Sequence, residues 1–311
     1  MSESTTATPS SAPSEGSSPS LMFGWIVAVG LLFIWSGWVV ISRYGVIQAL
    51  TIYDIVALRF LVALIAVSPV LWKFWPRDLP TWKLLVLSGC TGVPFLLIAF
   101  AGMQFAPASH AGILLNGTLP IFAAIITWIG FRHSPGPAKI LGMVVILAGC
   151  MLIGWDRGSD GLHPDAWIGH VLFTLASLLL AIYMILTKLW NIKPLQALVV
   201  VPTLNATLYL PVYLMFLPKA VTQAPWSEIW LQGLYQGLGP SVVGLLSFTF
   251  AVRILGSTRT AAIMAGVPAL VALMAIPTLG EWPSLLAWSG LVVTTAGILL
   301  SIGSSNGEPG N

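Results

Sequence analysis

The sequence predicts an all-α integral membrane protein, ten transmembrane helices arranged as a 5+5 inverted-topology repeat. The first observation behind this is the scarcity of charge. Only 7% of the 311 residues are charged, against about 25% in soluble chains, while 57% are hydrophobic and the mean hydropathy is +0.92. The second is that the charges fall between apolar runs of about 20 residues, the length that crosses a hydrocarbon core. The third is that the second half of the chain echoes the first. This composition excludes secreted disulfide scaffolds, cytosolic enzymes and nucleic-acid binders. The pI near 9.0 comes from 13 basic against 10 acidic residues, a small excess explained by loop charges rather than by a polyanionic partner. Cys90 and Cys150 lie inside apolar runs and read as buried small hydrophobes, not as a disulfide or metal pair.

The first twenty residues are mostly Ser, Thr, Pro and Gly and cannot bury enough surface to order themselves, so residues 1–20 read as a disordered cytoplasmic tail. They lack the positive start of a cleaved signal peptide, and the first apolar helix is expected to stay in the membrane. The apolar runs place spans at 24–41, 52–72, 83–103, 109–129 and 138–154, then at 166–187, 195–217, 232–252, 259–279 and 284–302. No fixed charge separates Lys83 from Arg132, but Gln104, Pro107, Ser109 and His110 mark a turn between the third and fourth spans. The fifth span is short, and the seventh carries Pro202 and Pro211. Residues 21–154 form the first five-span repeat, 155–303 the second, and 304–311 a cytoplasmic tail.

Lys and Arg in the loops set the orientation. With the amino terminus in the cytoplasm, inner loops hold nine basic residues: Lys73, Arg77, Lys83, Arg132, Lys139, Lys188, Lys193, Arg253 and Arg259. Outer loops hold three, Arg43, Arg157 and Lys219, and Arg59 lies inside the second span. Both termini are therefore expected in the cytoplasm, in a cell inner membrane. Trp72, Trp75, Trp82, Trp128 and Trp190 at the inner ends, with Trp155, Trp167, Trp226, Trp230 and Trp282 at the outer ends, make the two aromatic belts.

Pro120 in the fourth span matches Pro268 in the ninth, and Gly142 and Gly149 in the fifth match Gly290 and Gly297 in the tenth, at an offset near 148. Trp38 followed by Ser42-Arg43 likewise matches Tyr183 followed by Thr187-Lys188. Five spans per half is odd, so the second half enters the membrane from the opposite side. The segments Trp35-Ser36-Gly37-Trp38, Leu58-Arg59-Phe60, Ala111 to Pro120, Gly142 to Gly149 and Gly280-Glu281 resemble the EamA-type drug/metabolite transporter superfamily over roughly residues 24 to 303. The resemblance implies a transporter whose site is a basket between the halves, lined by the first, third, fourth, sixth, eighth and ninth spans. One departure is visible: where the family often has Gly-Glu-Arg after both repeats, the first here reads Gly130-Phe131-Arg132.

Arg59 is an ionisable residue within a span and so a functional candidate, although at its depth it can also snorkel to the outer interface. Trp38 and Tyr183, at equivalent repeat positions, fit a cavity wall and fit simple packing equally well. Asn116, four residues before Pro120, leans toward cavity lining, whereas Asn205 and Tyr209 suit interhelical hydrogen bonding. His110 and His170 fall near the outer face, where a hydrated position and a titrating or gating one both fit. Pro94, Pro120, Pro240 and Pro268 are expected to break the third, fourth, eighth and ninth spans, as gating elements or as plain kinks. The glycine pairs read as close-packing seams.

There is no phosphate-binding glycine loop, HExxH pair, Cys/His cluster or Ser/His/Asp set, so no metal or cofactor is expected and an enzyme is the least supported class. The expected function is a secondary transporter of a small organic solute working by alternating access, with export favoured by the resemblance alone. A lipid-linked carrier flippase and a non-transporting scaffold are the alternatives; the inverted repeat argues against the scaffold, which has no use for it. The partners expected are a small-molecule substrate and the lipid bilayer, with a homodimer left open. Few midspan charges point to neutral, zwitterionic or amphipathic solutes.

Overall fold

The computed structural model describes residues 21–132, 134–156 and 164–303. The expectations for both tails, and for Arg157 of the loop between the fifth and sixth spans, lie outside them. Among the described residues ten helices are long and apolar enough to cross a membrane: α1 (Leu21–Ile47), α2 (Ile52–Phe74), α3 (Thr81–Phe105), α4 (Ala108–Phe131), α5 (Pro137–Trp155), α6 (Ala166–Leu189), α7 (Pro194–Phe216), α8 (Trp226–Leu255), α9 (Ser257–Leu279) and α10 (Leu285–Ile302). No strand occurs among the described residues. The face where α1 begins is called near and the face where it ends far. On the sequence reading these are the cytoplasmic and outer sides.

One of the two largest departures from the predicted spans is at the end of α1, which runs to Ile47 rather than stopping at 41. Ser42, Arg43 and Gly45 are buried there, so Arg43 is a helix residue and not one of the outer loop charges. A buried polar side chain with partners lets the helix continue past the point where apolar composition ends. Likewise α8 begins at Trp226, six residues before the predicted 232. Pro202 and Pro211 leave α7 a continuous helix from Pro194 to Phe216.

Four helices are interrupted near mid-span. α3 breaks at Gly92, α4 at Thr118, α8 winds into a π-type turn over Gly239–Gly244, and α9 breaks at Ala265 and Gly266. Pro94, Pro120 and Pro268 each stand second in the segment that follows, where a missing N–H leaves no extra gap in the helical ladder, and Pro240 stands second in the π-type turn. Elsewhere the freed groups find side chains. Pro240 cannot donate to the carbonyl of Gln236, and Ser241 Oγ does so at 2.9 Å. At the α3 break, Asn205 Oδ1 accepts from the Val93 amide at 2.8 Å and Asn205 Nδ2 donates to the Ser88 carbonyl at 3.1 Å.

The packing obeys the repeat. α1 lies on α9 as α6 lies on α4; α3 lies on α6 as α8 lies on α1; α2 lies on α8 as α7 lies on α3; and α2 with α7 and α5 with α10 pair across the pseudo-axis. The α5–α10 pair is antiparallel, as two helices related by inversion must be. Gly149 faces Gly290 and Thr294, and Gly142 faces Gly297 and Ser301, with the opposing carbonyl 2.8 Å from where a Cβ would stand in each case. The glycines thus allow backbone-to-backbone approach that no larger residue permits. Gly149→Leu is expected to lower the detergent melting temperature, overpacking of this kind costing about 1 to 3 kcal/mol. Gly154→Leu, on the same helix but with no atom near its Cβ position, should leave it unchanged.

Candidate functional site

A cavity of about 300 Å³ lies between the two repeats, within the size range of small-molecule sites. Its inner wall consists of repeat-related pairs. Trp35 and Leu180 come from α1 and α6, Arg59 with Phe60 and Val201 with Pro202 from α2 and α7, and Asn116 with Leu119 and Met264 with Val267 from α4 and α9. The offsets are those separating Trp38 from Tyr183, the helix starts Ile52 from Pro194, and Pro120 from Pro268.

Beyond this central set the symmetry ends. The second repeat adds Tyr183, Met184, Leu198, Ser241, Leu245 and Phe248 to the lining, and along their helices all of these lie toward the near face. Their counterparts in the first repeat are Trp38, Val39, Val56, Phe95, Ala99 and Gly102, counting α3 against α8 from Pro94 and Pro240. All six are buried in packed core on the far-face side. The cavity therefore extends from mid-membrane toward the near face.

Of the sequence-derived site residues, Tyr183, Asn116 and Arg59 line the cavity. Trp38 does not: it is stacked on Phe95 at 6.0 Å between centroids, edge-on to Trp35, with its indole N–H unpartnered. The aromatic wall on α1 is Trp35, one helical turn earlier. Of the four prolines Pro240 lines the cavity, while Pro94 is exposed on the bundle surface and Pro120 and Pro268 pack beside their breaks. Asn205 and Tyr209 are interhelical, Tyr209 donating to the Tyr53 carbonyl at 3.2 Å. His110 is not hydrated; it is 2% exposed and belongs to the closed far face.

That closure is built from buried polar groups. Arg43 Nε donates to Glu281 Oε1 at 2.8 Å, its Nη1 donates to the Met103 carbonyl, and Glu281 Oε2 accepts from the Ala108 amide at 2.8 Å. One ion pair thereby joins α1, the α3–α4 turn and the end of α9. Gly280, at φ 69°, turns the chain so that Glu281 points back to α1. Asp54 closes a capping box with Thr51, accepts from Tyr213 Oη at 2.5 Å and accepts from the Ala220 amide at 3.0 Å, tying α2 to the end of α7. His110 Nδ1 meets His170 Nε2 at 2.9 Å, its Nε2 meets Asp156 Oδ2 at 3.1 Å, and Ser284 Oγ donates to the same Asp156 oxygen at 2.6 Å.

Asp54, Glu281, Asp156 and Arg43 were missed as functional candidates because each sits at a helix end, where sequence alone places a charge in water. The repeat gave no help: Lys188, which occupies the position matching Arg43, also reads as a loop charge, and only the structure places both inside their helices. Wall and scaffold are separable experimentally. Trp35→Ala should weaken ligand binding with a small change in melting temperature. Trp38→Ala should lower the melting temperature, since truncating a core aromatic costs about 3 to 5 kcal/mol in soluble cores.

Comparison with known proteins gives the same architecture. The EamA-like transporter family matches twice, over residues 22–155 and 167–303, one match for each five-helix repeat. An uncharacterized transporter of Archaeoglobus fulgidus is 27% identical over 281 residues, covering 87% of this chain and 94% of the relative. A probable terminal-alkyne amino-acid exporter of Streptantibioticus cattleyicolor is 26% identical over 227 residues, 72% of this chain and 73% of the relative. A solved crystal structure superposes with a TM-score of 0.60 at 16% identity, over 91% of this chain and 97% of the other, which shows a common fold. With both repeats matched and ten spans in place, this chain is a multi-pass membrane protein belonging to the EamA-like transporter family.

Proposed function

We propose that the protein is a secondary transporter that carries a small organic solute across the cell inner membrane by alternating access, with both termini in the cytoplasm and export as its direction. The observation that carries this reading is the broken symmetry of the cavity. Two inverted repeats can exchange conformations, and the exchange turns a cavity open to one face into one open to the other. In the exchanged state Trp38 takes the place Tyr183 now holds, and its unpartnered indole N–H joins the wall.

The far-face ion pair acts as the gate. Among the described residues the near side has no such pair: Lys188, the counterpart of Arg43, is exposed, and the counterpart of Glu281 falls at position 133, outside them. This asymmetry favours the state closed at the far face. Export accords with the printed name of the Streptantibioticus relative, and the nine basic residues of the near-side loops and helix ends give the orientation.

Reconstituted vesicles should show gradient-driven flux or exchange of solute without nucleotide. Flux that requires ATP would overturn the secondary mechanism. The gate and orientation are read by one labelling experiment, with Cys90 and Cys150 replaced by Ala. An impermeant thiol reagent applied to intact cells should label Gln223→Cys but not Lys193→Cys, and should reach Ser36→Cys, buried at mid-span, several-fold faster when Glu281→Gln is also present. The reverse pattern at Gln223 and Lys193 would invert the topology, and unchanged protection of Ser36→Cys would remove the gate.

A further inference from the structure

We propose that the cavity selects organic carboxylates with an apolar body, and that Arg59 is the residue that reads the carboxylate; this rests on the transport reading only for the cavity being a substrate site. Arg59 is a guanidinium inside the bundle, lining a cavity whose other walls are mostly apolar. Among the described residues only one of its nitrogens finds a partner: Nη1 donates to Gln236 Oε1 at 3.0 Å. Its Nε is buried without a partner, and no carboxylate lies within ion-pairing distance of the group among the described residues.

The contrast with the other buried arginine is direct. Arg43 spends its Nε on Glu281 and its Nη1 on a carbonyl, which is how a buried guanidinium is ordinarily neutralised. Arg59 has no such neutralising group, although four carboxylates, Asp54, Asp156, Glu228 and Glu281, are held at the far face a few turns away. What fixes Arg59 instead is a neutral chain. Gln236 Nε2 donates to Ser42 Oγ at 2.8 Å and to Gln232 Oε1 at 3.2 Å, and Gln232 Nε2 donates to the Ile41 carbonyl at 2.8 Å. Both glutamines are fully buried. This chain orients the guanidinium from behind without cancelling its charge.

The repeat sharpens the point. The counterpart of Arg59 in the lining is Val201, so the fold meets its packing needs at this position with an apolar residue. The positive charge is an addition to the first repeat. A carboxylate matches a guanidinium in charge and in planar two-point geometry. The remaining wall, with Trp35, Phe60, Leu180, Tyr183 and Phe248, suits an aromatic or alkyl body. No acidic residue lines the cavity to hold an ammonium group, so the solute class is a monocarboxylate and not a cation.

The test uses the purified full chain in detergent and two matched pairs, hydrocinnamate with hydrocinnamide and hexanoate with hexanamide, with phenethylammonium as the cation and phenylalanine as the zwitterion. Charge-assisted hydrogen bonds contribute enough to make each acid bind at least about tenfold more tightly than its amide, and the cation should not compete. Arg59→Gln should bring the acid down to the affinity of its amide, and Arg59→Lys should retain part of the preference. Acid and amide binding alike, or a preference that survives Arg59→Gln, would overturn the proposal, as would phenylalanine binding more tightly than hydrocinnamate. If Arg59→Gln does not fold, the acid-over-amide difference in ligand-induced melting shift of the unaltered chain decides the matter. Acid-selective binding in a protein whose vesicles carry no flux would count against the transport reading and leave the carboxylate site standing.

Discussion

Every peptide group inside the hydrocarbon must be hydrogen-bonded by the protein itself, and the rest of this structure depends on that constraint. It forces helices, and it makes each helix break an obligation to be met by a particular side chain. Asn205 reaches across from α7 to serve both sides of the α3 break, and Ser241 takes the carbonyl that Pro240 leaves free. Broken helices surround the cavity because only there, against protein or a polar pocket, can irregular backbone be tolerated. The breaks in α3 and α8, and in α4 and α9, are therefore both the cost of making a cavity and the places where its wall can bend.

A second constraint is the treatment of charge. A buried ion is costly unless paired, and removing one member of a buried pair typically costs about 3 to 5 kcal/mol. At the far face each buried carboxylate is matched: Glu281 by Arg43 and an amide, Asp54 by a tyrosine, a threonine and two amides, Asp156 by a histidine and a serine. These groups cross-link helices of both repeats at one end of the bundle, while the other end has no such set among the described residues. That difference makes one face a seal in this conformation and leaves the cavity on the side of the other. Arg59 stands apart as a charge oriented by neutral amides and facing space.

Much of the fold was legible before any coordinates. Ten spans follow from charge-free lengths, and the 5+5 repeat follows from Pro120 with Pro268 and from the glycine spacings. The seam between α5 and α10 was visible as Gly142, Gly149, Gly290 and Gly297, because close backbone approach leaves a compositional mark. Tyr183, Asn116 and Arg59, which line the cavity, were legible as candidates because polar or aromatic groups within spans are few, but the sequence left packing open for Tyr183 and snorkelling open for Arg59. The far-face network was not legible: Arg43, Asp54, Asp156 and Glu281 lie at helix ends, where hydration and burial give the same sequence pattern.

Local composition, read against the fixed thickness of a bilayer, is enough to set the spans, the inverted repeat and the short inventory of polar groups within the membrane. It treats Trp38 and Tyr183 as equals, as the repeat does. That Tyr183 faces the cavity while Trp38 stacks on Phe95, and that Arg43 is paired with a carboxylate while Arg59 is not, emerges from the packing between helices. The physical reason is that a symmetric pair of repeats has asymmetric conformations. Which half packs closed and which charge finds a partner are set by contacts between different helices, some as far apart in the chain as Arg43 and Glu281, and no local pattern encodes them.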